Sequence, residues 1–314
     1  MKRLLLISLL QWIVVVGLLG QQDPVIAHYM QAPLTFNPAF SGLSGNVCAT
    51  ALNRQQWVGF KNAPSTTMFV VGSPFNPFGT SGGVGLKLIN DAAGFDKDIS
   101  LSLSYAYFID FGTARLSIGV SGGMFNKVLD PEWQIPSGDY HTPPSGDPLI
   151  PEGKESFVAF DGGIGAVLTF GNGYAGVSVM HLNQPTFKFS KGLPYLSRHY
   201  YATAGYNLLL PNPAFELTPS MLFFSDGRAT QLTFSGIVTY NKKVWGGLSY
   251  RSGDAVTGIL GLELYNGIKI GYGYDFPLSD IRKGTSGSHE FIVNYCFDIS
   301  MGRSPMKYKS IRFL

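Results

Sequence analysis

Residues 98–110, DISLSLSYAYFID, place Ile99, Leu101, Leu103, Tyr105, Tyr107 and Ile109 on alternate positions, with serine or alanine at most of the positions between. A period of two marks a strand whose two faces meet different surroundings. RLSIGV repeats the pattern through Leu116, Ile118 and Val120, and IKIGYGYDF through Ile268, Ile270, Tyr272 and Tyr274. Such stretches recur at 46–57, 64–75, 81–90, 98–109, 113–126, 157–170, 173–182, 199–210, 214–225, 229–240, 243–251, 255–265, 267–276 and 288–299, about fourteen in all. None shows a sustained helical period.

The connectors carry a second pattern. After even-numbered strands stand NPFGT, DFG, GN, PNP, NKK and NG; after odd-numbered ones stand 58–63, 91–97, 127–156, 183–198 and 277–287, with SDGR and SGD as shorter members. Short turns on one rim and long loops on the other describe an outer-membrane barrel, and a soluble sandwich has no reason to sort its loops this way. We therefore read an all-β, transmembrane antiparallel β-barrel of about 14 strands, with short periplasmic turns, longer extracellular loops and both termini in the periplasm. Lipid would meet Ile99/Leu101/Leu103, Leu116/Ile118/Val120, Leu262/Leu264, Ile268/Ile270 and Phe291/Val293/Tyr295/Phe297. The lumen would receive Arg54, Lys87, Arg115, Asp161, Glu216, Arg251, Glu263, Lys269, Asp275 and Glu290, a mixed-sign lining that pairs with itself.

Composition agrees. Charged residues are 14% of the chain against a usual value of about 25%, aromatics reach 14%, and there are 39 glycines. A net charge of +3, spread along the chain, gives no footprint for nucleic acid. Met1, Lys2 and Arg3 precede an apolar run from Leu4 to Leu19, so residues 1–20 read as a signal peptide and the location as the cell outer membrane. No later window approaches the ~20 apolar residues of a membrane helix. The expected divisions are 1–20 signal peptide, 21–45 N-terminal periplasmic or plug segment, 46–299 barrel and 300–314 basic periplasmic tail. A barrel this wide needs a plug or holds water, because only about eight strands let wall side chains fill the interior.

Catalytic and metal chemistry find little in the spacing. His181, in VSVMHLNQP, has no second histidine or acid at a useful interval, and His28, His141, His199 and His289 are scattered. We expect no enzyme, no cofactor and no metal site. The two cysteines fall in the first and last strands, neighbours in a closed barrel, so Cys48 and Cys296 should lie close together; a seam disulfide and two unbonded thiols both fit that placement. The tail carries Arg303, Lys307, Lys309 and Arg312 without an acid, which suits a periplasmic partner or anionic headgroups. Loop 127–156, with Trp133, Tyr140, Leu149 and Ile150, is too apolar for a free loop and is expected to fold over the outer mouth.

The stretch QDPVIAHYMQAPLTFNPAFSG resembles the mature opening of the PorP/SprF family of Bacteroidetes outer-membrane proteins. The likeness continues through RQQWVGFKNAPSTT, DAAGF, SYAYFI, LSIGVSGG, YAGVSVMHLNQP, LTPSMLF, WGGLSYRSGDAV, GYGYDFPLSDI and GSHEFIVNYCF. It departs at Phe224 and Ser225, where family members often carry a lysine. The resemblance implies a component of the type IX secretion and gliding-motility apparatus that works by protein contact. Its implied partners are outer-membrane lipid, the periplasmic ring lipoprotein or associated translocon proteins, and secreted cargo or an adhesin C-terminal domain. It implies no catalytic residues, and the matching positions Pro38, Arg54, Trp57, Asp91, Gly94, His181, Arg251, Asp254, Asp275 and Glu290 read as structural. The alternative is an outer-membrane channel or transporter for small or hydrophobic solutes.

Overall fold

The computed structural model describes residues 23–131, 153–190, 192–265 and 267–298. Its strands are β1 (Val47–Gln55), β2 (Ser65–Pro74), β3 (Gly82–Ala93), β4 (Asp96–Phe111), β5 (Ala114–Leu129), β6 (Glu155–Phe170), β7 (Gly173–Met180), β8 (His199–Tyr206), β9 (Leu208–Leu209), β10 (Phe215–Ser225), β11 (Thr230–Tyr240), β12 (Val244–Arg251), β13 (Ala255–Glu263), β14 (Ile268–Pro277) and β15 (Ser288–Phe297). β9 prolongs β8 past Asn207 and pairs with the same partner, β10, so the wall has fourteen staves. Each stave is antiparallel to its neighbours, and the pairings of β10 with β11 and of β1 with β15 complete one closed sheet. Closure leaves no sheet edge, which is what allows strands to sit in hydrocarbon.

The two faces differ as the alternation requires. Leu103, Phe160, Leu248 and Leu260 are each about two-thirds exposed on the outer surface, amid a belt that includes Ile99, Leu101, Ile118, Val120, Phe291 and Val293. Exposed apolar area on this scale belongs in lipid. Among the described residues no helix is long and apolar enough to cross a membrane.

The wall is uneven. β4, β5 and β6 have 16 residues each, whereas β7, β8 and β12 have 8. Sixteen residues span about 53 Å along a strand, so this side rises well past an apolar band of about 25 Å. Here the structure corrects the sequence reading: the loop expected at 91–97 is only the turn Gly94–Phe95, with Gly94 at φ 63°, and the flanking residues are ladder. The polar run Asn90, Asp91, Asp96, Lys97 and Asp98 breaks the apolar alternation, which made the strands look shorter. Lys127 stands 3.2 Å from Asp98 and 3.3 Å from Asp96, and Lys97 2.8 Å from Asp130, so ion pairs replace lipid contacts above the membrane. Strands β5 and β6 likewise run into 127–156; residues 132–152, including Trp133, Tyr140, Leu149 and Ile150, fall outside the described ones, as do 299–314 with Arg303, Lys307, Lys309 and Arg312.

At the seam Cys48 is paired with Cys296 and their sulfurs are bonded, with Cα atoms 4.1 Å apart. The bond joins positions 248 apart in sequence. Chain entropy alone assigns a loop of that length about 5 kcal/mol, an upper value for the gain. Two outcomes follow. Boiled, unreduced protein should migrate faster on SDS gels than reduced protein, and Cys48→Ser should abolish the difference.

Residues 23–43 run through the inside of the barrel. Ile26, Tyr29, Ala32, Leu34 and Phe36 form a buried core with Leu52, Met68, Val70, Leu222 and Ile292, which point inward from β1, β2, β10 and β15. These inward apolar side chains interrupt the polar lining, and Leu52 is the position that conflicts with a simple apolar-out pattern on β1. The lumen there is occupied by protein instead of water.

Candidate functional site

The internal segment turns through two single-turn 3-10 helices, η1 (Pro33–Thr35) and η2 (Pro38–Phe40). Asn37 is extended and its Oδ1 accepts from the Ala39 N–H at 2.9 Å, while Pro38, at the first helical position, has no N–H to leave unpaired. The wall then bonds the turn: Asn37 donates to the carbonyls of Ala166 (3.3 Å) and Val177 (3.1 Å), Ser117 to Ala39 O (2.6 Å), Ser178 to Phe36 O (2.6 Å), and Lys87 Nζ to Thr35 O (3.1 Å). Glycine makes the approach possible. A Cβ on Gly119 would stand 2.4 Å from Ala39 N, and one on Gly165 2.1 Å from Asn37 Oδ1. NPAFSG is thus the piece of sequence that fits the wall, and Pro38 sits at its centre.

Nearer the loop rim, five of the sequence-selected residues converge on one buried network. Arg54 reaches Asp275 at 2.5 Å and Glu290 at 3.2 Å, and Arg251 reaches Asp275 at 3.3 Å and Asp254 at 2.8 Å. Thr257 donates to the second oxygen of Asp275 at 2.6 Å. Glu290, fully buried, also accepts from the Ala27 and His28 N–H groups, both at 2.8 Å, and lies 2.6 Å from His28 Nδ1. One carboxylate therefore ties the internal segment to the seam strand, and burial of so many charges is tolerated because each has partners.

Across the lumen, Asp23 is the hub. Its carboxylate accepts from Tyr201 Oη at 2.8 Å and stands 3.1 Å from His181 Nε2 and 2.7 Å from His199 Nδ1. Asp161 Oδ2 is 2.9 Å from the other ring nitrogen of His181. Burial by itself would raise the Asp23 carboxyl, which belongs to the internal segment and to no strand, but the charges of His199 and His181 outweigh it and hold it well below the usual range. Beside it is a small cavity of 60 Å³ lined in part by Lys87, Asp91 and Asp98.

This corrects the expectation that His181 has no histidine or acid for company. The sequence intervals, 158 residues to Asp23 and 18 to His199, hid a cluster that only barrel closure assembles. Asp91 lines the same cavity and accepts from Thr66 at 2.5 Å. Trp57, at φ 51°, and Gly94 stay apart from both clusters, in loop-rim connectors. Sequence reasoning missed Asp23, His28, Asn37, His199 and Tyr201; QDP and NPA were visible as motifs, but nothing in them identified their partners. At the turn rim, a vestibule of 850 Å³ is bordered by Leu43, Cys48, Glu216, Trp245, Glu263 and Lys269.

The family model for the type IX secretion system membrane protein PorP/SprF matches residues 18–295. No curated protein matches the chain. Among solved structures, the Acinetobacter baumannii outer membrane protein Omp33 is similar at a TM-score of 0.48 and 8% identity, over 82% of this chain and 100% of that one. The Ralstonia pickettii toluene transporter TbuX aligns at 0.46 and 12% identity, over 86% and 94%. CdiB from Acinetobacter baumannii aligns at 0.42 and 12%, over 80% and 60%.

Proposed function

The chain belongs to the PorP/SprF family of type IX secretion system membrane proteins, and from that premise we propose that it serves protein secretion or the surface attachment of cargo through contacts made at its two rims, not by conducting solute. The observation that carries this reading is the internal segment, bonded to β3, β5, β6 and β7 at η1 and η2, to β15 through Glu290 and to β8 through Tyr201. A lumen filled by its own chain favours surfaces over a pore. On this reading the turn rim and both termini are periplasmic, the vestibule and the basic tail meet the periplasmic ring lipoprotein or translocon proteins, and the loop rim meets cargo or an adhesin C-terminal domain. No step of the proposed role calls for a catalytic group.

Deleting the gene tests it. The expected outcome is retention of normally secreted proteins in the periplasm; intact secretion with loss of uptake of one solute would replace this reading with transport. A narrower outcome concerns Arg303, Lys307, Lys309 and Arg312. Truncation after Ser300 should preserve heat-modifiable barrel migration yet reduce secretion at least several-fold, and full secretion by the truncated chain would remove the tail from the contact surface.

A further inference from the structure

We infer that Asp23, His181 and His199 form a binding site for one divalent transition-metal ion of the zinc type, set where the internal segment meets the wall. One ligand atom from each residue lies within 4.8 Å of the others. Two imidazoles and a carboxylate are a donor set such ions take, and donors bound at about 2.0–2.2 Å in a tetrahedron stand about 3.3–3.6 Å apart. Asp23 faces both rings, Oδ1 at 3.1 Å from His181 Nε2 and Oδ2 at 2.7 Å from His199 Nδ1, so binding one ion needs the carboxylate to turn and the donors to move slightly outward.

The unsatisfied atoms point the same way. His199 is fully buried; its Nδ1 faces Asp23 Oδ2 at 2.7 Å without the alignment of a hydrogen bond, and its Nε2 makes none. Such an imidazole ordinarily has a partner, because its desolvation is otherwise uncompensated. A cation on Nδ1 supplies one.

The surroundings are those of metal-binding histidines. His181 lies between two carboxylates, Asp23 Oδ1 hydrogen-bonded to Nε2 at 3.1 Å and Asp161 Oδ2 2.9 Å from Nδ1, so an ion on Nε2 would replace the proton there while Asp161 faces the other ring nitrogen. Tyr201 holds Asp23 by its second oxygen. The rings are fixed, His181 and His199 edge to face at 5.0 Å and His199 against Phe224 at 5.1 Å. The 60 Å³ cavity leaves room for water as a fourth ligand. The ion would fasten the start of the internal segment to the loop-rim ends of β7 and β8, whatever the protein's role in secretion.

Stripping the purified full-length protein with a strong chelator and titrating it with Zn²⁺ by calorimetry tests the site. One ion per chain is expected, with micromolar or tighter affinity. His199→Asn and Asp23→Asn should weaken it at least a hundredfold, Asp161→Asn about tenfold, and His289→Asn should leave it unchanged. Heat-modifiable migration on gels reports whether each variant has folded. X-ray absorption on the zinc-loaded wild-type chain, which needs no variant, should show two imidazoles in the coordination shell. Absence of saturable binding, binding that survives both ligand substitutions in folded protein, or a shell without imidazole overturns the proposal. So would a segment that is released by acid but indifferent to zinc, since a proton would then be the cation between these groups.

Discussion

Replacing Glu290 with alanine should cost about 3–5 kcal/mol, the range for breaking a buried ion pair by removing one partner. The reason is the number of groups that depend on it. The Ala27 and His28 N–H groups, the His28 ring and Arg54 all lose an acceptor in the buried interior, and each buried donor left unpaired costs about 1–3 kcal/mol before relaxation. Arg54 retains Asp275, so the loss does not reach the sum of the parts. Because two of the four donors are backbone groups of the internal segment, the variant should also loosen that segment. Urea titration followed by tryptophan emission reads both effects, since Trp245 belongs to a buried cluster against which Met30 packs. Glu263→Ala is the control: its partner Lys269 is 3.6 Å away and both side chains are substantially exposed, so the change should stay below about 1 kcal/mol. Equal midpoints for the Glu290 and Glu263 variants would show that the network does not hold the segment.

Gly119→Leu should have the second largest effect, for a steric reason. Its first added atom would already lie 2.4 Å from Ala39 N and 2.5 Å from the Pro38 carbonyl carbon, and neither can turn aside as a side-chain tip would. Overpacking of a filled interior costs about 1–3 kcal/mol, and here the element free to yield is the internal segment, since β5 is held by both neighbouring strands. We expect new protease cleavage within 23–45 and a conductance in planar bilayers that the wild-type protein lacks. Gly236→Leu, at a position where an added Cβ meets nothing within 4 Å, should do neither. A Gly119→Leu protein with wild-type protection and no conductance would mean that the segment does not close the lumen.

The wall was legible in the sequence because each strand answers locally to two solvents, and alternation records that answer residue by residue. It failed where a strand ran past the lipid or faced protein instead. Asp96, Lys97 and Asp98 belong to ladder above the membrane, where polar alternation carries no apolar signal. Leu52 and Met68 face inward onto protein, so their hydrophobicity pointed the wrong way. The clusters were less legible still. Arg54, Arg251, Asp254, Asp275 and Glu290 could be selected as inward or motif residues, yet their convergence depends on strand register and curvature. Asp23, His181 and His199 meet only because a chain end threads the barrel, a relation with no period and no spacing.

The hydrogen bonds from Ala27 and His28 to Glu290 span 263 and 262 residues. The internal segment thus has its acceptor on β15, the last strand of the wall to be synthesised. Until β15 arrives, the Ala27 and His28 amides lack this acceptor, and contacts this distant in sequence form late because loop closure must precede them. Docking of the N-terminal stretch is therefore an act of inspection: it can be completed only around a cylinder whose final stave is in register, and a barrel halted one strand short would present the assembly machinery with a loose end in place of a sealed one.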